Sequence, residues 1–467
     1  MVTRQYKIRP QLDPTQKAIH LGSGDSKGGA LWLGTLAEAT TGSQPKVWLA
    51  TAKEQVVAVV GKRGSGKSFT LGVIAEGLGV MEGAVLGRQD APRAVLLFDP
   101  LDVYWTTRYS VQPTGNKEVS RHYQMAKSAD LLGLGFNVEA WVPGSQNRRQ
   151  ADPDWFKTLQ LPVSAMGLEE WELLLDVNIM TQPIGQALAD ALVFTRDRGF
   201  TSEGEVTDPR TDFDLLHLSR AARSEELAGI YHPETIRALS QRLGALHSTG
   251  LFSAEGTRIR ELLAPGRVTI VMLGRLPEGY RAAVVAVLTR MLISVRNDTS
   301  FAEKRLVLDS TLDDTTRAAL TSVVESGIPK TVVMLDEAQS FLAPGPSNSA
   351  RDLFIRLVKE GRNMGLSAVL ATQQPSALDQ RVLSQVETFV AHQLVTEPDI
   401  RAVKDNLKSS LPDSISSGAN KLSLSDLLRQ LPPGYCLVSA ADMDTTVRRA
   451  LVVNVRPRAT VHGGIEL

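Results

Sequence analysis

Residues 61–68 carry the clearest chemistry in the chain. They read GKRGSGKS and fit the pattern G-x-x-x-x-G-K-[ST] in full, after an apolar run and before a helical pattern. In this pattern, glycines let backbone N–H groups turn inward around a phosphate. It predicts that Lys67 contacts the β- and γ-phosphates of ATP and that Ser68 binds Mg²⁺. A glycine turn without a ligand is the alternative. The predicted nucleotide contacts are Gly61, Lys62, Arg63, Gly64, Ser65, Gly66, Lys67, Ser68 and Phe69.

An acidic pair supplies a second half of the predicted site. The segment TVVMLDEAQSFL places Asp336 and Glu337 directly after an apolar strand pattern. We expect Asp336 to hold Mg²⁺ through water and Glu337 to polarise the attacking water, which a hydrolase needs and a nucleotide kinase does not. A solvated turn or a helix N-cap is the alternative interpretation of such a pair.

A polar amide follows a third strand pattern. In LSAVLATQQPS the apolar run ends on Thr372, Gln373 and Gln374. An amide at this position could detect the γ-phosphate and orient water, and Gln373 is the candidate. Ordinary turn polarity before Pro375 is the alternative.

The elements that must position these residues alternate between strand and helix patterns. Apolar, β-branched runs occur in VVAVV after Gln55, in AVLLFD up to Asp99, and in 267–273, 331–335 and 366–372. This alternation predicts an α/β fold with a mostly parallel sheet of the P-loop NTPase type. Such sheets bind ligands at the carboxyl ends of their strands, so the three motifs should converge there.

The rest of the chain divides into regions of different character. Residues 1–50 predict a short β-rich region, and 106–261 predict a helical insertion. The predicted ATPase core is therefore discontinuous, at 51–105 and 262–467. The closing runs GYCLVSA and ALVVNVRP predict edge strands.

Composition limits the function classes. Lys plus Arg and Asp plus Glu both number 51, which disfavours a long basic surface wrapped on nucleic acid but not a ring that touches a polymer with its pore loops. The single Cys436 predicts a buried strand thiol in a reducing compartment. Without an apolar leader pattern or a run of about 20 apolar residues, a cytoplasmic protein without membrane contact is expected.

Taken in order, GKRGSGKS, MLDEAQSFL and KEGRNMGLSAVLATQQPSALDQRVLSQVETFVAHQL resemble the HerA branch of the HerA/FtsK ATPases. The resemblance covers roughly 45–105 and 262–464. It implies a homohexameric ring that uses ATP to translocate or unwind double-stranded DNA, with a partner nuclease or other effector, in repair or anti-phage defence. It also implies that Arg362 acts on the nucleotide of a neighbouring subunit. A surface arginine paired with Glu360 is the alternative.

The chain departs from this family in two places. Residues 99–104 read DPLDVY where many members carry Asp-Pro-x-Gly-Glu-Tyr, so Val103 stands at the glutamate position. The predicted β-rich region before the core, residues 1–50, is only about 50 residues long, which implies a shortened N-terminal β-barrel. In the tail, His462 is expected to lie across the nucleotide pocket of a neighbouring subunit.

A function of another class stays open. An oligomeric scaffold regulated by ATP could assemble and activate a separate effector enzyme without processive movement. The arginines of residues 106–261 occur on amphipathic helix patterns, where solvated faces or salt bridges are the plain explanation. Stimulation of ATP hydrolysis by DNA would separate the motor from the scaffold.

Overall fold

The computed structural model describes residues 6–9, 17–22, 29–38, 44–80, 85–89, 91–345, 348–410, 412, 414–417, 420–443 and 449–464. Some sequence interpretations fall outside these residues, in the N-terminal β-rich region at 1–5, 10–16, 23–28 and 39–43, and at the end of the tail at 465–467.

The strands are β1 (Lys7–Arg9), β2 (Ala18–Leu21), β3 (Gly29–Leu36), β4 (Lys46–Ala50), β5 (Val56–Val60), β6 (Gly87–Gln89), β7 (Ala94–Asp99), β8 (Val138–Pro143), β9 (Phe156–Leu159), β10 (Leu161–Pro162), β11 (Phe200–Ser202), β12 (Glu205–Thr207), β13 (Phe252–Ser253), β14 (Val268–Met272), β15 (Thr331–Leu335), β16 (Leu366–Thr372), β17 (Thr388–Ala391), β18 (Ser414–Ser417), β19 (Asn420–Leu422), β20 (Tyr435–Ala440) and β21 (Leu451–Val455). The helices are α1 (Lys67–Gly79), α2 (Lys117–Ser128), α3 (Leu168–Leu175), α4 (Pro183–Val193), α5 (Leu215–Ala222), α6 (Glu225–Ala228), α7 (Pro233–Ser248), α8 (Ile259–Leu262), α9 (Glu278–Leu308), α10 (Asp314–Ser326), α11 (Gln339–Leu342), α12 (Ser349–Met364), α13 (Gln380–Leu383), α14 (Glu397–Asn406) and α15 (Leu424–Gln430).

One large sheet organises the chain. Its strand order is β2-β4-β3-β21-β20-β17-β5-β16-β15-β7-β14-β8-β9, with β6 paired to β3. From β17 to β9, neighbouring strands run parallel. Both β5 and β16 are buried at every position, as parallel strands with helices on both faces must be. The predicted α/β class with a mostly parallel sheet is confirmed.

Alternate side chains of each strand face two different helical layers, because successive residues of a strand point to opposite faces. On one face, Val57 and Val59 belong to a buried cluster that contains residues of α1. On the other face, Ala58 and Val60 belong to a second cluster with residues of α9 and α12, such as Leu288 and Phe354. Functional side chains are therefore expected at the ends of the strands.

The terminal strands differ from the sequence interpretation. The closing strands β20 and β21 are not edge strands, since β20 lies between β17 and β21, and β21 lies between β20 and β3. The N-terminal strands β2, β3 and β4 continue the same sheet through β21, so the described part of this region is joined to the core. Single-sequence periodicity reports strands but not their pairing partners, which explains the error.

Residues 106–261 are not wholly helical. Strands β8 and β9 in this range extend the parallel sheet beyond β14. The helices α3 to α7 follow β9 and pack around buried apolar residues such as Trp171, Leu188 and Leu243. The insertion therefore contributes both strands to the main sheet and a helical layer.

Two smaller observations complete the fold. Cys436 is fully buried on β20, and burial raises the pKa of its thiol, which confirms the buried strand cysteine. Within the part of the chain that the structure describes, no helix combines the length and apolar character needed to cross a bilayer.

Candidate nucleotide site

Strand register brings the three sequence motifs to one edge of the sheet. Val60, the last residue of β5, pairs with Thr372 at the end of β16. Leu335, the last residue of β15, pairs with Leu370 of β16 and with Phe98 of β7. The glycine-rich loop, the acidic pair and the amide segment therefore leave the sheet side by side at its carboxyl edge.

The glycine-rich loop, residues 61–66, is held in shape by neighbouring strand ends. The N–H of Gly61 donates to Thr372 O at 3.2 Å, and the N–H of Lys62 donates to Gln393 O at 2.8 Å. A Cβ at Gly61 would lie 2.6 Å from Ser65 Oγ. Gly66 has a φ of 116°, a conformation that favours glycine. The loop thus forms the narrow backbone cradle that a phosphate chain fits.

Helix α1 opens from this cradle at Lys67. Its first turn contains no acidic residue, so the partial positive charge of the helix N-terminus is available to an anion. Lys67 is 5% exposed, and its Nζ lies 3.4 Å from Lys62 O. Burial lowers the pKa of Lys67, while the nearby carboxylates of Glu337 and Asp336 oppose that shift. An added phosphate would satisfy this buried ammonium.

A buried histidine, His392, lies directly against the glycine-rich loop. His392 Nδ1 donates to Tyr435 O at 2.9 Å, which leaves Nε2 to accept from the Thr70 hydroxyl at 2.8 Å. Burial lowers the pKa of His392 to about 4, so the ring is neutral at neutral pH. The sequence analysis missed this residue, although a histidine inside the apolar run FVAHQL was a detectable signal.

The predicted magnesium ligands, Ser68 and Asp336, meet at one tyrosine. The Tyr104 hydroxyl donates to Asp336 Oδ2 at 2.8 Å. Burial raises the pKa of Tyr104, and the nearby Ser68 side chain opposes that shift. Ser68 and Asp336 therefore lie beside the same hydroxyl group, an arrangement that fits a shared cation with oxygen ligands. Tyr104 belongs to the 3₁₀ helix Tyr104–Arg108 after β7, and the sequence analysis gave it no role.

A third carboxyl group, Asp99, anchors this tyrosine. Asp99 Oδ2 accepts from the Tyr104 N–H at 2.8 Å. Burial raises the pKa of Asp99 well above its usual value, and the nearby Asp102 and Asp336 add to the shift. Val103, at the position of the family glutamate, is only partly buried beside this anchor. The segment keeps its tyrosine in contact with the site although it lacks the glutamate.

Two amides fix the orientation of Glu337. Gln373 Nε2 donates to Glu337 Oε1 at 2.5 Å, and Gln339 Nε2 donates to Oε2 at 2.6 Å. Gln339 is itself held by the Thr372 hydroxyl at 2.7 Å. Glu337 also has a φ of 48°, a strained value for a residue of this type. The predicted neighbours Glu337 and Gln373 are therefore in direct contact, with Gln339 as a residue the sequence analysis missed.

Arg362 lies at the opposite edge of the sheet. It occupies the last turn of α12, just before β16 begins at Leu366. Its side chain is exposed and has no hydrogen bond or ion pair to any residue that the structure describes. Glu360, the alternative partner, instead pairs with Arg356 at 2.9 Å. The structure thus separates Arg362 from the site of its own chain.

The C-terminal segment 456–463 braces the P-loop helix. Glu76 of α1 is fully buried and accepts from Arg456 Nη1 at 2.7 Å and Arg458 Nε at 3.1 Å, and from the Thr460 N–H at 3.1 Å. These two arginines hold the pKa of Glu76 below its usual value against the effect of burial. The segment therefore contacts the nucleotide-binding helix of its own chain.

The end of this segment reaches the rim of the glycine-rich loop. His462 packs edge-on against Phe69, with ring centroids 5.7 Å apart, and His122 packs on Phe69 at 5.8 Å. His462 therefore contacts Phe69 of its own chain, and the expected contact of the tail with a neighbouring subunit stays a prediction. Phe69, a predicted nucleotide contact, lies in this aromatic group directly after Ser68.

Comparisons with known proteins identify the family of the chain. The family model described as "Helicase HerA, central domain" matches residues 33–292, which include the insertion and end before β15. The DNA double-strand break repair helicase HerA of Pyrococcus furiosus is 26% identical over 163 residues, 33% of this chain and 29% of the relative. The HerA of Sulfolobus acidocaldarius is 28% identical over 155 residues, 32% of this chain and 27% of the relative. The matched part of the chain thus spans under a third of each relative.

A solved structure has a similar fold. VirB4 of Thermoanaerobacter pseudethanolicus superposes with a TM-score of 0.50 at 15% identity, over 93% of this chain and 98% of VirB4. At this identity the likeness concerns the fold alone, a P-loop ATPase sheet with its helical layers.

Proposed function

Because the chain belongs to the family of the HerA helicase central domain, we propose that it is a magnesium-dependent ATPase that works as a ring and moves double-stranded DNA. One observation carries the catalytic part of the proposal. Lys67 begins α1, Asp336 and Glu337 follow β15, and Gln373 follows β16, and these three elements bring all four residues to one edge of the sheet, with Glu337 held by Gln373 at 2.5 Å. Bound Mg²⁺ would neutralise charge on the phosphates.

Each side chain of the site has a proposed role. The backbone of residues 61–66 and the N-terminus of α1 bind the phosphates, and Lys67 adds a positive charge beside them. Ser68 and Asp336 hold the magnesium ion, and Tyr104 orients both. Glu337 accepts a proton from the attacking water, because its two oxygens are fixed by amides while its side chain borders the phosphate cradle. Gln373 aligns Glu337 and the water.

Arg362 is proposed to act on a neighbouring subunit. It precedes the amino end of β16, whereas the phosphate cradle lies at the carboxyl end of the adjacent β5. At about 3.3 Å per residue, the seven residues of β16 separate these ends by about 20 Å. An arginine at that distance does not reach its own site, so we infer that a second copy supplies it. A head-to-tail contact of this kind generates a closed ring when the rotation between neighbouring copies closes, as the proposed function requires.

The DNA substrate and the partner are the finer parts of the proposal. The two relatives above are named as helicases of DNA double-strand break repair, which supports double-stranded DNA as the polymer. We further propose a discontinuous ATPase core at 51–105 and 262–467 with 106–261 inserted, and a partner nuclease or effector in repair or anti-phage defence. The balanced charge of the chain supports contact with DNA through a few loops.

The test is the steady-state rate of ATP hydrolysis with and without double-stranded DNA, together with the mass in solution. We expect a large oligomer whose hydrolysis DNA stimulates, and loss of hydrolysis in Lys67→Ala and Glu337→Gln. Glu337→Gln should still bind a fluorescent ATP analogue, because the substitution keeps the side-chain shape and leaves the phosphate cradle intact.

Two results would contradict the proposal. Hydrolysis in wild-type protein that survives Lys67→Ala would show that another site, or a contaminant, is responsible. Hydrolysis that depends on Lys67 but ignores DNA over a range of lengths and salt concentrations would exclude the motor and favour a scaffold regulated by ATP.

A further inference from the structure

A helical hairpin projects from the sheet directly before β15. It comprises the second half of α9, from about residue 296, and the whole of α10. No residue of α10 is buried, and this helix and the turn before it pack along α9 through a half-buried stripe of Leu312, Thr316, Leu320 and Val324. Their spacing of four residues is that of one helix face. The outer faces of the hairpin are left to solvent.

These outer faces carry large apolar side chains. Phe301 is 63% exposed, Val307 is 82% exposed and Leu308 is 79% exposed. Exposed apolar residues grouped on one projecting element are typical of a contact surface. The charge of the hairpin is also one-sided, because residues 298–326 contain six acidic and three basic side chains. A net negative surface does not suit DNA phosphates and favours a protein partner with positive charge.

The hairpin begins beside Arg362. Asn363 O, one residue after Arg362, accepts from Ser300 Oγ at 2.7 Å and from Lys304 Nζ at 2.8 Å. Arg296 Nε donates to Met364 O at 2.7 Å. These bonds fix the end of α12 to the base of the hairpin, so Arg362 lies beside the hairpin. A molecule that meets Arg362 is therefore close to the hairpin as well.

We infer that the hairpin docks on a second copy of this chain, against the face that carries its glycine-rich loop and α2. The inference rests on the proposed function, in which Arg362 reaches the nucleotide of that copy. Charge supports the same occupant. The glycine-rich loop exposes Lys62 and Arg63, and α2 exposes Lys117, Arg121 and Lys127 against a single acidic Glu118. An acidic, apolar-tipped hairpin beside Arg362 complements this basic rim.

The hairpin therefore adds a second contact between neighbouring copies, beside the one that Arg362 makes. It sets the distance and angle at which Arg362 meets the neighbouring phosphate cradle. Substitutions on its outer face should weaken assembly without altering the nucleotide site of the same chain, because the hairpin leads into the amino end of β15 whereas the glycine-rich loop follows the carboxyl end of β5.

The first test measures association of the full-length protein by sedimentation velocity, with Mg²⁺ and ATP. Phe301→Lys and Leu308→Lys should each weaken assembly at least tenfold, because each removes an apolar contact and adds positive charge opposite a basic rim. The matched control is Val206→Lys, an 80% exposed valine on β12 of the insertion, which should assemble like the wild type. Binding of a fluorescent ATP analogue to each variant reports whether its nucleotide site is folded. Assembly that is equal in all four proteins would overturn the inference.

The second test locates the contact directly. Cys436 is buried and unreactive, so Phe301→Cys can be labelled alone with a benzophenone maleimide. Isotopically heavy and light copies are mixed and irradiated. Cross-links from heavy to light chains within 61–69 or 117–128 support the inference, whereas cross-links to another region, or within one chain, overturn it. Val206→Cys serves as the labelled control.

The outcomes separate the two proposals. If the wild-type protein and the hairpin variants all assemble and hydrolyse ATP, the docking of the hairpin is excluded and the motor function is not. If the wild-type protein neither assembles nor hydrolyses ATP, both proposals are excluded.

Discussion

The carboxyl edge of the sheet and the α9–α10 hairpin are opposite in character. At the edge, charged groups are buried and each is held by named partners, as Asp336 is by Tyr104 and Glu337 by Gln373 and Gln339. On the hairpin, apolar groups such as Val307 and Leu308 are exposed. In the proposed ring, the edge lacks its ligands and the arginine of a neighbour, while the exposed Arg362 and the hairpin of the same chain would contact another copy. The difference separates what one chain holds in place from what assembly would have to add.

Replacing Arg362 tests that division most strongly. Arg362→Ala should lower the rate of hydrolysis by roughly 10³- to 10⁵-fold, because a guanidinium from a neighbour stabilises charge on the transferring phosphate. Nucleotide binding should change little. Arg356→Ala is the matched control, an exposed arginine on the same helix that pairs with Glu360. Equal rates for the two variants would mean that the edge is complete within one chain. Mixing Arg362→Ala with Glu337→Gln should restore part of the activity.

The burial of titratable groups at the carboxyl edge of the sheet predicts that the free energy of unfolding depends on pH. The pKa of His392 is lowered to about 4 in the folded protein, so between about pH 6.5 and pH 4 the unfolded chain binds a proton that the folded chain does not. Stability should therefore fall as the pH drops through this window, by about 3 kcal/mol for this residue. Urea unfolding at several pH values measures the slope.

Other groups act in the same direction and need a control. Burial also lowers the pKa of His122, His217 and His462, and Glu76 loses its contribution below its usual pKa near 4.5. The comparison is therefore with His392→Asn, which should have a shallower slope between pH 6.5 and pH 4.5. Identical slopes would indicate that water reaches the space beneath the glycine-rich loop.

The smallest expected effect concerns Tyr104. Tyr104→Phe removes the hydroxyl that joins Asp336 and Ser68 while keeping the ring. The Mg²⁺ concentration needed for half-maximal hydrolysis should rise about tenfold, the value of roughly one hydrogen bond to a charged group. Titration of Mn²⁺ by electron paramagnetic resonance gives the same shift without turnover. An unchanged metal affinity would show that Asp336 needs no such support.

Sequence reasoning identified the candidate site residues because the signals that mark them are local. The glycine spacing of 61–68, the acidic pair after β15 and the amide after β16 each lie within a few residues, and continuous β-branched runs marked the core strands. Pairing between distant strands is not written in any one segment, so β20 and β21 were expected at an edge and β8 and β9 were missed.

Supporting residues were harder to find for a related reason. Tyr104 and Glu76 act through contacts with residues more than 230 positions away in the sequence. The hairpin was missed because its apolar residues are few and its helices lack a wide buried face. What remained invisible was therefore the set of contacts that only the folded chain creates.

Strand β16 has a consequence for the timing of a ring. Its seven residues are buried between β5 and β15, with Gln373 after one end and Arg362 just before the other. In an assembled ring, this strand would connect the presence or absence of the γ-phosphate in one nucleotide site to the position of the Arg362 that reaches the next site. Hydrolysis would then pass from each subunit to the next around the circumference in one direction. A silent copy would slow the copies that follow it, so activity should fall more steeply than the fraction of inactive copies added.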